Sequence, residues 1–236
     1  MGLFDKKNCD ICGEKIGALG NRKVEDGNIC KNCAKKLSPW FSERKKSTVD
    51  QIKEQLAWRE ANQERVEAFQ VTRTLGVHER VLLDENSGRF LVTSSKKWKE
   101  ENPDVLDLAD VTGCDTDVEE HREEIMMKNR EGKMVSCIPP RYRYTYDFYA
   151  VIHVNCPYFD EMRVQLNSSA VDGESRREYN QYQDLCEEIK AVFAQARDGI
   201  AAANAPKAAV TCPWCGATTV PDERGCCEYC GAAVNG

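Results

Sequence analysis

Four Cys-x-x-Cys pairs are the residues of this chain whose type and spacing could do chemistry. Two pairs lie near the start of the 236 residues and two near the end. Two thiols three positions apart can face one point on a tight turn, and two such turns can build a tetrahedron of four sulfurs. That is the geometry of a structural zinc site that is closed by its own ligands, and it predicts two Zn²⁺ per chain. The predicted ligands are Cys9, Cys12, Cys30 and Cys33 in the first set and Cys212, Cys215, Cys227 and Cys230 in the second.

The residues next to these pairs refine the prediction. Gly216 and Gly231 each follow the second cysteine of a pair, where glycine can turn the chain through positive φ so that backbone N–H groups point at the thiolates. Ala34 stands at the corresponding position of the last pair in the first set. Cys226 could compete with its neighbour Cys227 for the metal, but the spacing to Cys230 favours Cys227.

Disulfide and redox roles fit the cysteines less well. A chain of this length can bury an ordinary core without covalent cross-links, and its 13 cysteines are an odd number. Redox catalysis requires a single Cys-x-x-Cys pair at the start of a helix in a thioredoxin-like context, whereas the pairs of this chain come in twos. The remaining thiols suit a reducing compartment, and they are Cys114, Cys137, Cys156, Cys186 and Cys226.

Composition and charge narrow the class of protein. The start of the chain has no apolar stretch typical of a secretory signal, and no apolar run is long enough to span a membrane, so we expect a cytoplasmic protein. Residues 1–48 carry 11 Lys/Arg against 6 Asp/Glu, whereas residues 49–205 carry 20 against 30. A basic module of this kind could bind nucleic acid, dock on the acidic part of the chain or stay solvated, and we favour the last two.

Hydrophobic periodicity indicates the elements between the cysteine sets. Ser47 and Asp50 predict the start of a helix whose apolar stripe fades after Leu56, as in a helix that bridges two domains. Alternating segments then predict antiparallel strands, including a hairpin around Asp84–Gly88 and a long strand from Tyr142 to Val154. A core-facing helix follows, capped by Ser175.

Several antiparallel strands closed by one C-terminal amphipathic helix resemble a pleckstrin-homology-like barrel. We therefore expect an α+β protein with this central β domain between an N-terminal four-cysteine zinc module and a C-terminal zinc ribbon. The predicted boundaries are residues 1–46 for the N-terminal module, 47–66 for the connecting helix, 67–198 for the β domain, 199–210 for an alanine-rich linker and 211–236 for the ribbon.

No constellation of catalytic residues emerges from the sequence, so we expect that the protein is not an enzyme. His78, His121 and His153 have no cysteine or carboxylate at a catalytic spacing, and the carboxylates of residues 119–124 are typical of a solvated strand edge. Residues 141–146 interleave arginine and tyrosine, as single-strand nucleic-acid binders do, but alternation along a strand explains the same pattern.

Residues 9–41, CDICGEKIGALGNRKVEDGNICKNCAKKLSPWF, with the following STVDQIKEQLAWREAN, resemble the bacterial domain-of-unknown-function 4428 family. The cysteines and Leu37–Phe41 carry this resemblance, which covers about the first sixty residues. Residues 211–236 resemble the small zinc-ribbon modules. Neither resemblance implies a catalytic residue. We expect a zinc-stabilised binding or scaffold protein that contacts another protein; the alternatives are a nucleic-acid-associated factor acting through the N-terminal module and a membrane-surface adaptor acting through the β domain.

Overall fold

A computed structural model describes residues 7–17, 19–204, 209–222 and 224–234, with the backbone alone for residues 200–204. The chain divides into two compact units, residues 1–197 and 198–236. Among the described residues, no helix combines the length and apolar character that a membrane span needs.

A small β-hairpin and a short helix build the N-terminal module. Strands β1 (Asn21–Lys23) and β2 (Asn28–Cys30) pair antiparallel, helix α1 (Lys31–Ala34) follows at once, and a 3₁₀ turn spans Glu43–Lys46. Apolar side chains join the buried cysteines in one cluster, and its main members are Val24, Ile29, Leu37 and Ile52. The module therefore has a hydrophobic core besides its thiols.

Helix α2 (Val49–Ala68) begins one residue later than the sequence predicts. Thr48 and Gln51 form the capping box, in which the Gln51 backbone N–H donates to Thr48 Oγ1 at 3.3 Å and the Thr48 N–H donates to Gln51 Oε1 at 2.9 Å. Ser47 cannot cap the helix because its hydroxyl donates to the Glu43 carbonyl at 2.9 Å and closes the preceding 3₁₀ turn.

The polar middle of α2, where the apolar stripe fades, is buried. Arg59 is ion-paired with Asp104, whose second carboxylate oxygen accepts from Ser38 Oγ at 2.6 Å. Asn62 donates to the Pro103 carbonyl at 2.8 Å and accepts from the Val105 N–H at 2.9 Å. Helix α2 thus contacts the N-terminal module at its start and, through buried polar groups, residues 103–105.

The first four-stranded sheet follows α2, and its strand order is the order in sequence. The hairpin predicted around Asp84–Gly88 is confirmed as the β4–β5 turn, in which Gly88 has a φ of 65°. Val66 and Phe69 at the end of α2 pack on this sheet. The elements are β3 (Arg73–Leu75), β4 (Arg80–Asp84), β5 (Arg89–Thr93), helix α3 (Trp98–Glu101) and β6 (Leu106–Asp107).

A second four-stranded antiparallel sheet is built on one long strand pair, β7 with β10, which keeps one register from Glu124–Tyr142 to Gly113–His153 and shifts by one residue before Val111–Val154. The other edge of β10 carries β11 and β12. Beyond the end of β7, strands β8 and β9 form a separate two-stranded hairpin. The elements are β7 (Val111–Glu124), β8 (Met126–Lys128), β9 (Met134–Ser136), β10 (Tyr142–Cys156), β11 (Phe159–Gln165) and β12 (Val171–Asp172).

Helix α4 (Arg176–Asn204) supplies the third layer of the core. Its buried residues include Ile189 and Phe193, and the Phe193 ring lies edge-on to Phe90 of the first sheet with centroids 5.0 Å apart. Tyr182 stacks on Phe148 of the second sheet. The α+β class is confirmed, but the pleckstrin-homology-like barrel is not, because strands β3 to β12 form two four-stranded sheets and a two-stranded hairpin and do not close into one cylinder.

The second unit contains one small hairpin among its described residues, β13 (Val210–Thr211) with β14 (Thr218–Thr219). Helix α4 extends to Asn204, into the segment 199–210 that the sequence suggested as a linker. Alanine is the best helix former, so an alanine-rich segment after a long helix can continue it. The rest of that proposed linker includes residues 205–208, which lie outside the described residues.

Candidate metal centres

The structure brings the first four cysteines together at one point of the N-terminal module. One sulfur from each of Cys9, Cys12, Cys30 and Cys33 lies within 4.8 Å of the others. The sulfurs of Cys12 and Cys30 are 3.8 Å apart, and Cys12 alone is exposed while the other three are buried. Four sulfurs at this spacing can coordinate one ion tetrahedrally with Zn–S bonds of about 2.3 Å.

The second four cysteines meet in the same way within residues 198–236. Their sulfurs also lie within 4.8 Å of one another, with 3.6 Å between Cys212 and Cys230 and 3.7 Å between Cys215 and Cys227. Cys226 lies outside this group, and its thiol donates to the Arg224 carbonyl at 3.8 Å. The structure therefore places Cys227 in the group, as the spacing favoured.

Three of the four pairs share one backbone turn. In each, the first cysteine's N–H donates to the carbonyl five residues later, and the N–H of the glycine after the pair donates back to the first cysteine's carbonyl, all at 2.8–2.9 Å. The glycine has positive φ, which other residues adopt at a cost. The turns begin at Cys9, Cys212 and Cys227, and their glycines are Gly13, Gly216 and Gly231 with φ of 73°, 71° and 72°. Gly13 was missed in the sequence, although it follows Cys12 directly.

The fourth pair uses a helix instead of a glycine turn. Cys30 is the N-cap of α1, and its sulfur accepts the Cys33 backbone N–H at 3.3 Å. The Cys30 N–H in turn donates to Cys9 Sγ at 3.2 Å, which ties the two pairs together. Because the chain continues in a right-handed helix after Cys33, Ala34 fits where the other three pairs need glycine.

Backbone hydrogen bonds prepare some of the thiols for ionisation. Burial of Cys9 opposes ionisation, but N–H donors from Cys12, Cys30 and Ile11 outweigh it and lower its pKa to about 6. In the second group, burial likewise opposes ionisation of Cys227, and N–H donors from Cys230 and Tyr229 lower its pKa to about 7.

One buried cysteine of the first group and one exposed cysteine of the second have a raised pKa. Burial and the neighbouring thiols raise the pKa of Cys33. The Ala232 N–H favours ionisation of Cys230, but burial and hydrogen bonding among the thiols outweigh it and raise the pKa of Cys230 to about 12. Four thiolates so close together repel one another, and a divalent cation removes that repulsion. Four sulfurs at these distances are therefore better explained as ligands of a metal ion than as four free thiols.

The chemistry of the donors limits what these centres can do. Four sulfur ligands without histidine or carboxylate suit Zn²⁺ or iron and fill a tetrahedron completely. No position is left for a catalytic water or a substrate. Each centre can hold an ion and fix the chain around it, and the Zn²⁺ identity of that ion stays a prediction.

Three of the five remaining thiols are of the inert kind. Cys186 is buried and Cys114 is partly buried, and burial raises their pKa to about 11 and about 12 respectively. A reactive cysteine needs the reverse shift, because the thiolate is the nucleophile. Burial raises the pKa of Cys156 as well.

Two histidines lie beside carboxylates that the sequence alone did not place near them. His121 Nε2 is 2.9 Å from Asp147 Oδ2, and His153 Nε2 is 3.2 Å from Asp115 Oδ2. Both pairs join β7 to β10 across the polar face of the second sheet, where Arg163 also pairs with Asp117 and Glu119. Only the strand register creates these pairs, so no local sequence signal could have revealed them.

Comparison with known proteins extends only to the first of the two centres. No curated protein and no solved structure matches the chain. Residues 7–55, which hold the first four-cysteine group and the start of α2, match the family model described as Domain of unknown function (DUF4428).

Proposed function

We propose that this protein is a non-enzymatic binding or scaffold protein of the cytoplasm whose two four-cysteine groups each hold a structural Zn²⁺. The closed sulfur ligand sets support a structural role for the metal. In this proposal the metal centres keep their surroundings rigid, and the surface that they fix contacts another protein.

One observation carries the protein-binding part of the proposal. Each pair of the second centre holds an exposed aromatic residue just before its second cysteine: Trp214 is 75% exposed and Tyr229 is 70% exposed. Both lie inside the hydrogen-bonded turns that begin at Cys212 and Cys227. Tryptophan and tyrosine dominate the energetics of protein interfaces, and a rigid backbone lowers the entropy cost of using them.

Affinity purification from the native cell tests this proposal with a matched pair of variants. The double variant Trp214→Ser with Tyr229→Ser should lose the proteins that co-purify with the wild type and keep its metal content. Val220→Ser removes an apolar side chain of the same unit that is 47% exposed, and it should keep those proteins. An unchanged set of proteins with the double variant would refute the role of this surface.

A nucleic-acid-associated factor is the second candidate, because the lysines of the N-terminal module are exposed. The exposed lysines are Lys7, Lys15, Lys23, Lys31, Lys35, Lys36, Lys45 and Lys46. Two features weaken the basic patch: Lys46 pairs with Glu43 at 2.8 Å, and a four-thiolate zinc centre is itself negative. We therefore expect weak binding to nucleic acid at physiological salt, where the acidic charge elsewhere in the chain also repels phosphate.

A gel-shift titration of the full chain separates the two candidates. Sub-micromolar binding that falls steeply with salt, and that charge reversal at Lys35, Lys36, Lys45 and Lys46 abolishes, would favour the nucleic-acid factor. A membrane-surface adaptor would instead require binding to anionic vesicles, which the acidic residues 49–205 disfavour.

A further inference from the structure

Residues 123–143, which we name the arm, form a two-stranded ribbon that has no buried residue. An isolated two-stranded hairpin is marginally stable in water, so a ribbon that is exposed on both faces gains from a partner. Its exposed apolar side chains are Ile125 (42%), Met126 (40%), Met127 (50%), Met134 (57%) and Ile138 (97%).

The outer edge of the arm is open for pairing. Strand β7 pairs only with β10, and β8 pairs only with β9, so among the described residues their other edges carry no strand. The Ile125 N–H donates to the Arg141 carbonyl at 2.8 Å and the Asn129 N–H to the Lys133 carbonyl at 2.9 Å. Both residues thus point their backbone groups inward, and alternation along the strand directs those of Glu124, Met126 and Lys128 to the open edge.

The sequence of this edge is complementary to itself. It reads Glu124, Ile125, Met126, Met127, Lys128: acidic at one end, apolar in the middle and basic at the other. Two copies that run antiparallel about a two-fold axis at Met126 would place Glu124 of each chain opposite Lys128 of the other. Ile125 would then face Met127, and the outward backbone groups would meet in hydrogen-bonded pairs.

Neighbouring registers are less favourable. Hydrogen bonding between the two chains requires that residues whose backbone groups point to the open edge lie opposite one another, and only some positions of the two-fold axis satisfy this. An axis at Ile125 would oppose Lys128 to Arg122. An axis at Met127 would place Lys128 opposite Met126 and leave Glu124 to pair only with Arg130, which lies in the turn beyond β8. With the axis at Met126, the ladder is limited to the five residues 124–128, because Arg122 and Arg130 would meet beyond it.

We propose that a second copy of this chain covers the arm, through antiparallel pairing of the two β7–β8 edges about Met126. Edge strands are ready templates for such pairing unless a protein blocks them, and this edge carries no proline. The proposal concerns a surface remote in sequence from both metal centres and does not depend on the function proposed above.

Charge swaps at Glu124 and Lys128 test this arrangement. Within one chain these residues are four positions apart on an extended strand, about 13 Å, so they cannot pair with each other. Each single variant, Glu124→Lys or Lys128→Glu, creates two like-charge pairs in the dimer and should weaken dimerisation about tenfold. The double variant restores both pairs and should restore the dimer.

Sedimentation velocity of the full chain over a concentration series provides the measurement. The wild type and the double variant should shift from monomer to dimer at similar concentrations, and both single variants should need higher ones. Lys133→Glu, the same charge change in the hairpin turn, should match the wild type. Hydrogen exchange at Met126 and Lys128 should slow as the wild-type concentration rises.

Two outcomes would overturn the proposal. The first is a wild type that stays monomeric at every concentration. That outcome would overturn the proposal even if the monomer bound anionic vesicles through the same side chains. The second is a dimer that the single variants leave intact or that the double variant fails to restore.

Discussion

The two metal centres share their ligands and their turns but differ in what surrounds them. The first lies in a module with apolar core residues such as Val24, Ile29 and Leu37, and Ser38 ties that module to the buried Arg59–Asp104 pair. In the second, the buried residues among those described in 209–234 are only Cys212, Thr219 and Cys227. The same coordination chemistry thus supplements a core in one place and replaces a core in the other.

The largest expected effect is that of metal removal on the second centre. Structural zinc contributes on the order of 10 kcal/mol to small modules that have no other core. After treatment with a strong chelator, amides of residues 209–234 should exchange at the rate of an unfolded chain, as measured by hydrogen exchange and mass spectrometry. The first centre should keep part of its protection, and strands β10 and β11 should keep theirs.

Addition of Zn²⁺ back to the chelated protein is the control, and it should restore protection in both modules. Equal loss of protection at both centres would show that the apolar residues of the first one contribute nothing. Loss across β10 and β11 as well would show that the metal supports the whole chain and that the predicted domain boundaries are wrong.

The buried ion pair should give the next largest effect. Asp104→Ala leaves Arg59 buried without its carboxylate and should destabilise residues 7–197 by about 3–5 kcal/mol, measured by urea unfolding. Glu43→Ala removes a partner from the exposed Glu43–Lys46 pair and should cost no more than about 1 kcal/mol. Similar small values for both variants would mean that the network does not link the N-terminal module to the rest.

The glycine turns should give the smallest change in free energy, and they allow the best-matched control. No atom lies within 4 Å of a Cβ added at Gly13, Gly216 or Gly231, so alanine there costs only the positive φ, about 1–2 kcal/mol. Gly216→Ala should therefore weaken zinc retention about tenfold in competition with a chelator. Gly17→Ala, which also meets open space but has no positive φ, should leave retention unchanged.

In the first module, Gly13→Ala should reduce zinc retention less than Gly216→Ala does, because apolar packing also holds that turn in place. Equal losses at the two glycines would contradict the comparison between the centres.

Local sequence patterns predicted the elements of this molecule well, whereas contacts between residues distant in the sequence could not be predicted. The cysteine groups, the β4–β5 hairpin, the strand from Tyr142 and the last helix follow from spacing and periodicity, which act within a few residues. The His121–Asp147 and Arg59–Asp104 pairs depend on strand register and on packing between distant segments. The predicted barrel is not confirmed, and strand patterning could not decide it, because patterning says which residues face a core but not whether the sheet closes.

Elemental analysis of protein purified without added metal tests the central claim most directly. The wild type should contain two zinc ions per chain, one for each four-cysteine group. The variant Cys212→Ser with Cys227→Ser should contain one and keep the far-UV signal of the central strands. A wild-type ratio near zero, with disulfides among these cysteines by mass spectrometry, would contradict the account.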